Sequence, residues 1–285
     1  MTATVKPAPR DYRLLKTYRT QVVATAQVTP RVRRITFGGG DLEHFEVAGP
    51  DQFITILAPH PHQDEPLIPP GFTWEMWRDM PEDERPISRN YTVRRHRPEQ
   101  AELDVDFVLH EDGGPLCQWA LQAKPGDKVG IWGPRMAYDP PPDVEWQLLV
   151  GDETGLPAIA AIFEALPPGA RAHAIIEVAD AAEEQPLDSA GNVEVTWLHR
   201  NGIPAGKADL LLPAVRALTF PEGKVYAWAA GEVRTIVALR RHFRRERGLA
   251  REYVSALGYW RHQDHDDVDA DEERRGSGLS LSGEP

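Results

Sequence analysis

Residues 89–95 read "RNYTVRR", a tyrosine between β-branched residues and arginines, set between Pro86 and Pro98. The composition and the flanking prolines predict a β-strand. Side chains alternate along a strand, so Arg89, Tyr91, Val93 and Arg95 share one face while Asn90, Thr92 and Arg94 share the other. The three arginines therefore have different surroundings, although they sit together in a chain of net charge −12.

The same strand pattern recurs on both sides. "RTQVVATAQVT" (19–29), "RVRRITFGG" (31–39), "DQFITILAP" (51–59), "ELDVDFVLH" (102–110) and "DKVGIWGP" (127–134) are short and bounded by Gly, Pro and Asp. Strands at this density predict an antiparallel barrel. Between them, 59–86 shows no clear period and reads as a surface loop, whereas "GGPLCQWALQA" (113–123) places Leu116, Trp119 and Ala120 at helical spacing behind Pro115. Beyond "YDPPPD" (138–143) the pattern changes. Apolar runs such as "WQLLVGDE" (146–153) and "KVYAWAAGE" (224–232) alternate with helical stretches such as "LPAIAAIFEAL" (156–166), which predicts a largely parallel α/β sheet. The expected domains are 17–145 and 146–262, followed by an acidic tail, 263–285, whose composition predicts disorder.

A length of 285 residues suits two domains, and 41% hydrophobic with 27% charged residues is an ordinary globular balance. No apolar run reaches the roughly 20 residues that span a bilayer, and the first residues lack a secretion signal, so the expected location is cytoplasmic. The single cysteine, Cys117, excludes an internal disulfide and an iron–sulfur cluster held by the chain's own thiolates. Net acidity argues against nucleic acid as a partner. His60, His62, His262 and His265 lie in Pro-rich or acidic surroundings that predict solvated side chains, not a metal site.

Arg89-Asn90-Tyr91-Thr92 resembles the Arg-x-Tyr-Ser/Thr flavin motif of ferredoxin-reductase-like proteins. Together with "DFVLHEDGGPLCQWA" (106–120), "GPR" (133–135), "LLVGDETGLPAIAAIFEALP" (148–167) and "GYWR" (258–261), the chain resembles the siderophore-interacting proteins, FAD-dependent ferric-siderophore reductases. The resemblance covers about residues 17–262. It implies that Arg89 holds the FAD diphosphate, Tyr91 stacks on the flavin, and Thr92, with Val93 beside it, lies near flavin N5. It further implies flavin contacts from Asp106, Val108, Leu109 and His110, from the turn Gly113, Gly114, Pro115, Leu116 and Cys117 with Trp119 adjacent, from Asp152, Glu153 and Thr154, and from Trp260. Arg135 and Arg261 are the candidate chelate-binding cations, while Thr55 stands where relatives often carry lysine and leaves a neutral hydroxamate chelate open.

The turn "GDETGLP" (151–157) lacks GxGxxG, and Asp152 and Glu153 would repel a diphosphate unless they turn away. NADH or NADPH is the candidate donor, with Glu177 and Asp180 at a strand end favouring NADH, and ferredoxin is the other donor the resemblance allows. Six arginines on 232–247 read as a solvated face or as a docking site for such an acidic ferredoxin. Two further readings stand beside the reductase: a general NAD(P)H-flavin oxidoreductase serving a protein acceptor, and a non-catalytic flavin- or siderophore-binding module.

Overall fold

The computed structural model describes residues 15–110 and 113–262. The first half is a seven-stranded antiparallel sheet built from β1 (Lys16–Thr29), β2 (Val32–Gly38), β3 (Phe53–Ala58), β4 (Ile87–Thr92), β5 (Arg95–Arg97), β6 (Glu102–Val108) and β7 (Lys128–Arg135). Their order is β4-β3-β7-β1-β2-β6-β5, so the two edge strands are successive pieces of one segment. The sheet curls into the expected barrel without closing by a strand pair. The gap is bridged by the chain itself, Val93 N donating to the Gln52 carbonyl and Arg94 N to that of Asp104. The barrel core gathers the inward residues Ile35, Phe37, Ile54, Ile56, Val105 and Phe107, and Tyr91 packs on it with its ring 4.3 Å from that of Phe107.

The stretch 59–86 is not a bare surface loop. It carries α1 (Trp74–Asp79), started by Thr73, whose hydroxyl accepts from Met76 N. Ile68 and Phe72 are buried with Leu57 of β3 against the outer face of the sheet. A Cβ on Gly130 would stand 2.1 Å from the Ile68 side chain, so glycine in β7 is what lets the insert seat so closely. A second helix, α2 (Pro115–Gln122), follows β6.

The second half is a five-stranded sheet of order β10-β9-β8-β11-β12, formed by β8 (Trp146–Gly151), β9 (Arg171–Val178), β10 (Asn192–His199), β11 (Val225–Glu232) and β12 (Val254–Trp260). Every pairing is parallel. Each residue of β8 and β11 is buried, because successive side chains feed two different cores. Leu149 and Trp228 face α3 (Leu156–Ala165), whereas Leu148, Val150 and Ala227 face α4 (Leu211–Ala217) and α5 (Val233–Arg241). Helices on both faces explain why these strands read as unbroken apolar runs.

The basic helix expected over 232–247 ends as an α-helix at Arg241 and continues as a π-helical turn, His242–Glu246. Glu232 precedes α5 as its cap, accepting from the amides of Arg234 and Thr235. The arginines do not form one free face. Arg247 lies 4.3 Å over Phe220 and donates to the Leu218 carbonyl, and Arg244 donates to that of Leu249.

Three sets of polar contacts join the halves. Arg94 and Arg95 both donate to Glu164 of α3, at 2.7 and 3.1 Å. Thr29 donates to Glu183 at 2.5 Å. Asp51, fully buried, accepts from Ala137 N at 3.1 Å and from the Trp228 indole at 3.2 Å. Burial raises the Asp51 pKa, opposed by those donors. The expected tail, 263–285, lies outside the described residues.

Candidate functional site

Strand β4 places its residues on two faces. Tyr91 pairs with Ile54 and Arg89 with Ile56, on the barrel side, whereas Thr92 pairs with Phe53 and Asn90 with Thr55, on the outer side. Arg89 is exposed, and its only hydrogen bond to a described residue is to the Ser88 carbonyl, at 2.9 Å. Its guanidinium keeps donors to spare for a phosphate. Tyr91 is half-buried, with its phenol pKa raised by burial. The Thr92 and Tyr259 hydroxyls are buried and near enough to interact with one another, and among the described residues neither has another partner at hydrogen-bond geometry. These two hydroxyls, one from each domain, satisfy one another at most in part and keep hydrogen-bonding capacity for a further polar group.

The remaining candidates around β6 and α2 divide sharply. Asp106 is committed to Arg34 through paired bonds of 2.6 and 2.8 Å. Val93, Leu116 and Trp119 belong to the barrel core or pack on it, Trp119 lying 6.4 Å from Phe37. Val108 and Leu109 are half-buried and His110 is exposed, in the field of Glu153 and Arg200 across the domain boundary. Gly114 precedes Pro115 with open space where a Cβ would stand, and no side chain caps α2. Gly113 has no such room, since a Cβ there would stand 2.4 Å from Cys117 Sγ. The Cys117 amide is taken by the Gly114 carbonyl at 2.9 Å, and the thiol is buried.

On the outer face, Arg135 of β7 donates to Thr55 Oγ1 at 2.6 Å and to Asn90 Oδ1 at 2.7 Å. Both partners are neutral. Burial alone holds its pKa down to about 10, and its Nε is buried without a partner. Arg135 therefore stays charged at neutral pH beside Phe53, which pairs with both Arg135 and Thr92.

The carboxyl edge of the parallel sheet is built differently, and all five strands supply it. The Asp152 carboxylate accepts from Thr154 N and Oγ1, from Glu232 N at 2.9 Å and from the Trp260 indole at 2.8 Å. Its approach requires Gly231, at φ +153°, where a Cβ would stand 2.6 Å from the carboxylate. Glu153 takes two bonds from Arg200, at 2.6 and 2.7 Å, and Glu177 lies 3.4 Å from the same guanidinium. Glu153 turns away from the turn toward Arg200, whereas Asp152 stays in it, bonded to Thr154. Burial pushes Asp152 up to about 6 and Glu177 up to about 7. Asp152, Glu177, Arg200 and Trp260 line a small cleft with Gly206 and Thr235. Neither acid expected at a nucleotide ribose stands free, because Glu177 faces Arg200 and Asp180 caps Ala182 N at 2.8 Å. Arg261 lies just past β12, half-buried.

No group of metal-ligating side chains occurs among the described residues, and no helix there is long and apolar enough to cross a membrane. An antiparallel domain that carries an exposed arginine and a half-buried tyrosine on one strand thus faces a parallel α/β domain. Residues 21–138 match the siderophore-interacting FAD-binding domain and residues 144–263 the siderophore-interacting protein domain. The chain is 31% identical over 248 residues to the ferric vibriobactin reductase ViuB of Vibrio cholerae, covering 82% of this chain and 85% of that one. It is 32% identical over 250 residues to an NADPH-dependent ferric-chelate reductase of Escherichia coli, covering 84% and 91%. A siderophore utilization protein from T. fusca superposes with a TM-score of 0.77 at 37% identity, covering 90% and 96%. The chain belongs to the siderophore-interacting protein family.

Proposed function

We propose that this protein reduces the iron of a ferric siderophore with electrons delivered through FAD, and so releases the metal. The observation that carries the reading is Arg135, a half-buried cation held only by neutral side chains, one strand from the unpartnered hydroxyl of Thr92.

The residues present fit FAD. Arg89 would hold the diphosphate with its unused donors, the open turn at Gly114 and Pro115 would lie along it, and Tyr91 would cover the ring. Thr92 and Tyr259 would satisfy their hydroxyls on its polar edge. When bound, FAD supplies two-electron acceptance from a nicotinamide and one-electron delivery to iron(III). The chain's share is placement. Arg135 draws an anionic chelate to the outer face, while the Arg94–Glu164 contact keeps the second domain against the first. Iron(III) held by hard oxygen ligands is gripped less tightly once reduced, so the protein needs no iron ligand of its own. NADPH or NADH is the proposed donor, with reduced ferredoxin as the competing one.

Photoreduction of the FAD-loaded protein without oxygen, followed by mixing with ferric chelates, tests the reading. Reoxidation, read from the flavin absorbance, is expected with at least one chelate, and none with any would sink it. Mixing the oxidised protein with NADPH, NADH or reduced ferredoxin then ranks the donors.

A further inference from the structure

The insert between β3 and β4 builds a column that FAD binding does not require. Trp74 and Trp77, on successive turns of α1, stack 4.5 Å apart with their planes 7° from parallel. Trp74 in turn lies 5.8 Å from Trp132 of β7, at 23°. At one end the Arg85 guanidinium covers Trp77 at 4.8 Å. At the other, Arg135 covers Trp132 at 4.9 Å and Phe53 at 4.7 Å. Arginine, three indoles, arginine and phenyl thus follow one another from the insert to the strand beside Thr92.

Packing alone does not account for the indoles. Trp77 and Trp132 rest on the buried Leu57, Ile68 and Phe72, and the Trp77 indole donates to the Pro86 carbonyl at 3.0 Å, yet all three tryptophans remain half-exposed. The Nε atoms of both flanking arginines are buried without a partner. An indole face attracts flat rings and cations, and a guanidinium attracts anionic oxygen. A ligand that suits both is flat, aromatic and negatively charged at its rim. Catecholate and phenolate rings that hold iron(III) have this form, whereas aliphatic hydroxamates present no ring.

We propose that the Trp74, Trp77 and Trp132 stack is the specificity wall of the chelate site, selecting ferric chelates whose iron is held by aromatic oxygen rings. The inference rests on the ferric-siderophore reading and adds its substrate class. Arg135 supplies the charge and the indoles supply the preference for rings.

Gallium(III) complexes test it in the FAD-loaded full-length protein, because gallium is not reduced and binding is read without turnover. By titration, gallium triscatecholate is expected to bind roughly tenfold more tightly than a gallium trihydroxamate, and parity would overturn the proposal. Trp74→Leu is expected to weaken the catecholate roughly five- to tenfold, the order of one lost aromatic contact. The trihydroxamate should move less than twofold, and Trp74→Phe should recover most of the loss. Equal loss for both chelates, or none, would overturn the role of the stack. Should Trp74→Leu fail to fold, the wild-type preference and the Trp74→Phe titration still decide. Failure of every ferric chelate to reoxidise the reduced flavin would instead remove the underlying function, whatever the gallium titrations give.

Discussion

The outer face around Thr92 and Arg135 and the carboxyl edge around Asp152 and Arg200 both hold polar groups out of water, and they satisfy them in opposite ways. At the edge, the Asp152 carboxylate has donors from three other residues, and Arg200 is engaged by Glu153 and Glu177. On the outer face, the Thr92 hydroxyl and the Arg135 Nε have none; at the edge the Arg200 Nε is also left over, although both terminal nitrogens of that guanidinium are engaged. A network engaged at nearly all its atoms needs little from a ligand, whereas unpaired groups carry a desolvation cost that a ligand can remove. The difference separates framework from binding surface, although both are rich in charge.

The largest test of this contrast is Arg200→Met, which leaves Glu153 and Glu177 buried without a cation. The expected loss is about 3–5 kcal/mol, the cost of breaking a buried ion pair, read as a lower denaturant midpoint. A loss below about 1 kcal/mol would mean that the edge is not the closed framework described. Next comes Arg89→Ala, expected to weaken FAD binding by about 2–3 kcal/mol in a fluorescence titration, since a charge-assisted phosphate contact is lost. Arg95→Ala should change it little, because Arg95 serves Glu164. Equal weakening would contradict the division of the strand's arginines.

Glu177 gives a pH test of smaller size. Its folded pKa of about 7 stands above the ordinary 4.5, so the folded chain holds the proton more tightly than the unfolded one. The sign follows by linkage: this contribution is full below about pH 4.5 and is lost as the pH rises through 7. Glu177→Gln should flatten that part of the fall in melting temperature, and an unchanged profile would place the titration elsewhere. Smallest is Thr92→Val. Removing an unpaired buried hydroxyl is expected to leave the FAD-free protein as stable or about 1 kcal/mol more so, while weakening FAD retention. Lower stability of the FAD-free form would show that the hydroxyl already has a partner.

Much of the fold was legible because period and composition are local. The change from short alternating strands to apolar runs and helices marked two kinds of sheet, and alternation separated Arg89 and Tyr91 from Asn90 and Thr92. The single strand expected over 89–95, however, breaks after Thr92 and resumes at Arg95 on the opposite edge of the sheet. Contacts between distant residues left no such trace. Trp74 and Trp77 sit three apart, a hint of one helix face, but nothing local brings Trp132 to them. Nothing local assigned a partner to Arg94 and Arg95, and they meet Glu164 of a helix in the other domain. Asp106 and Trp119 were drawn toward the flavin by their motif, yet one is held by Arg34 and the other packs on the barrel core.

Asp51 bears on motion. One carboxylate, with no exposed surface, ties the segment before β3 to the Ala137 amide of the connecting chain and to Trp228 in the middle of the second sheet. Rotating one domain against the other would strip donors from a buried acid, so the connection lacks an inexpensive hinge.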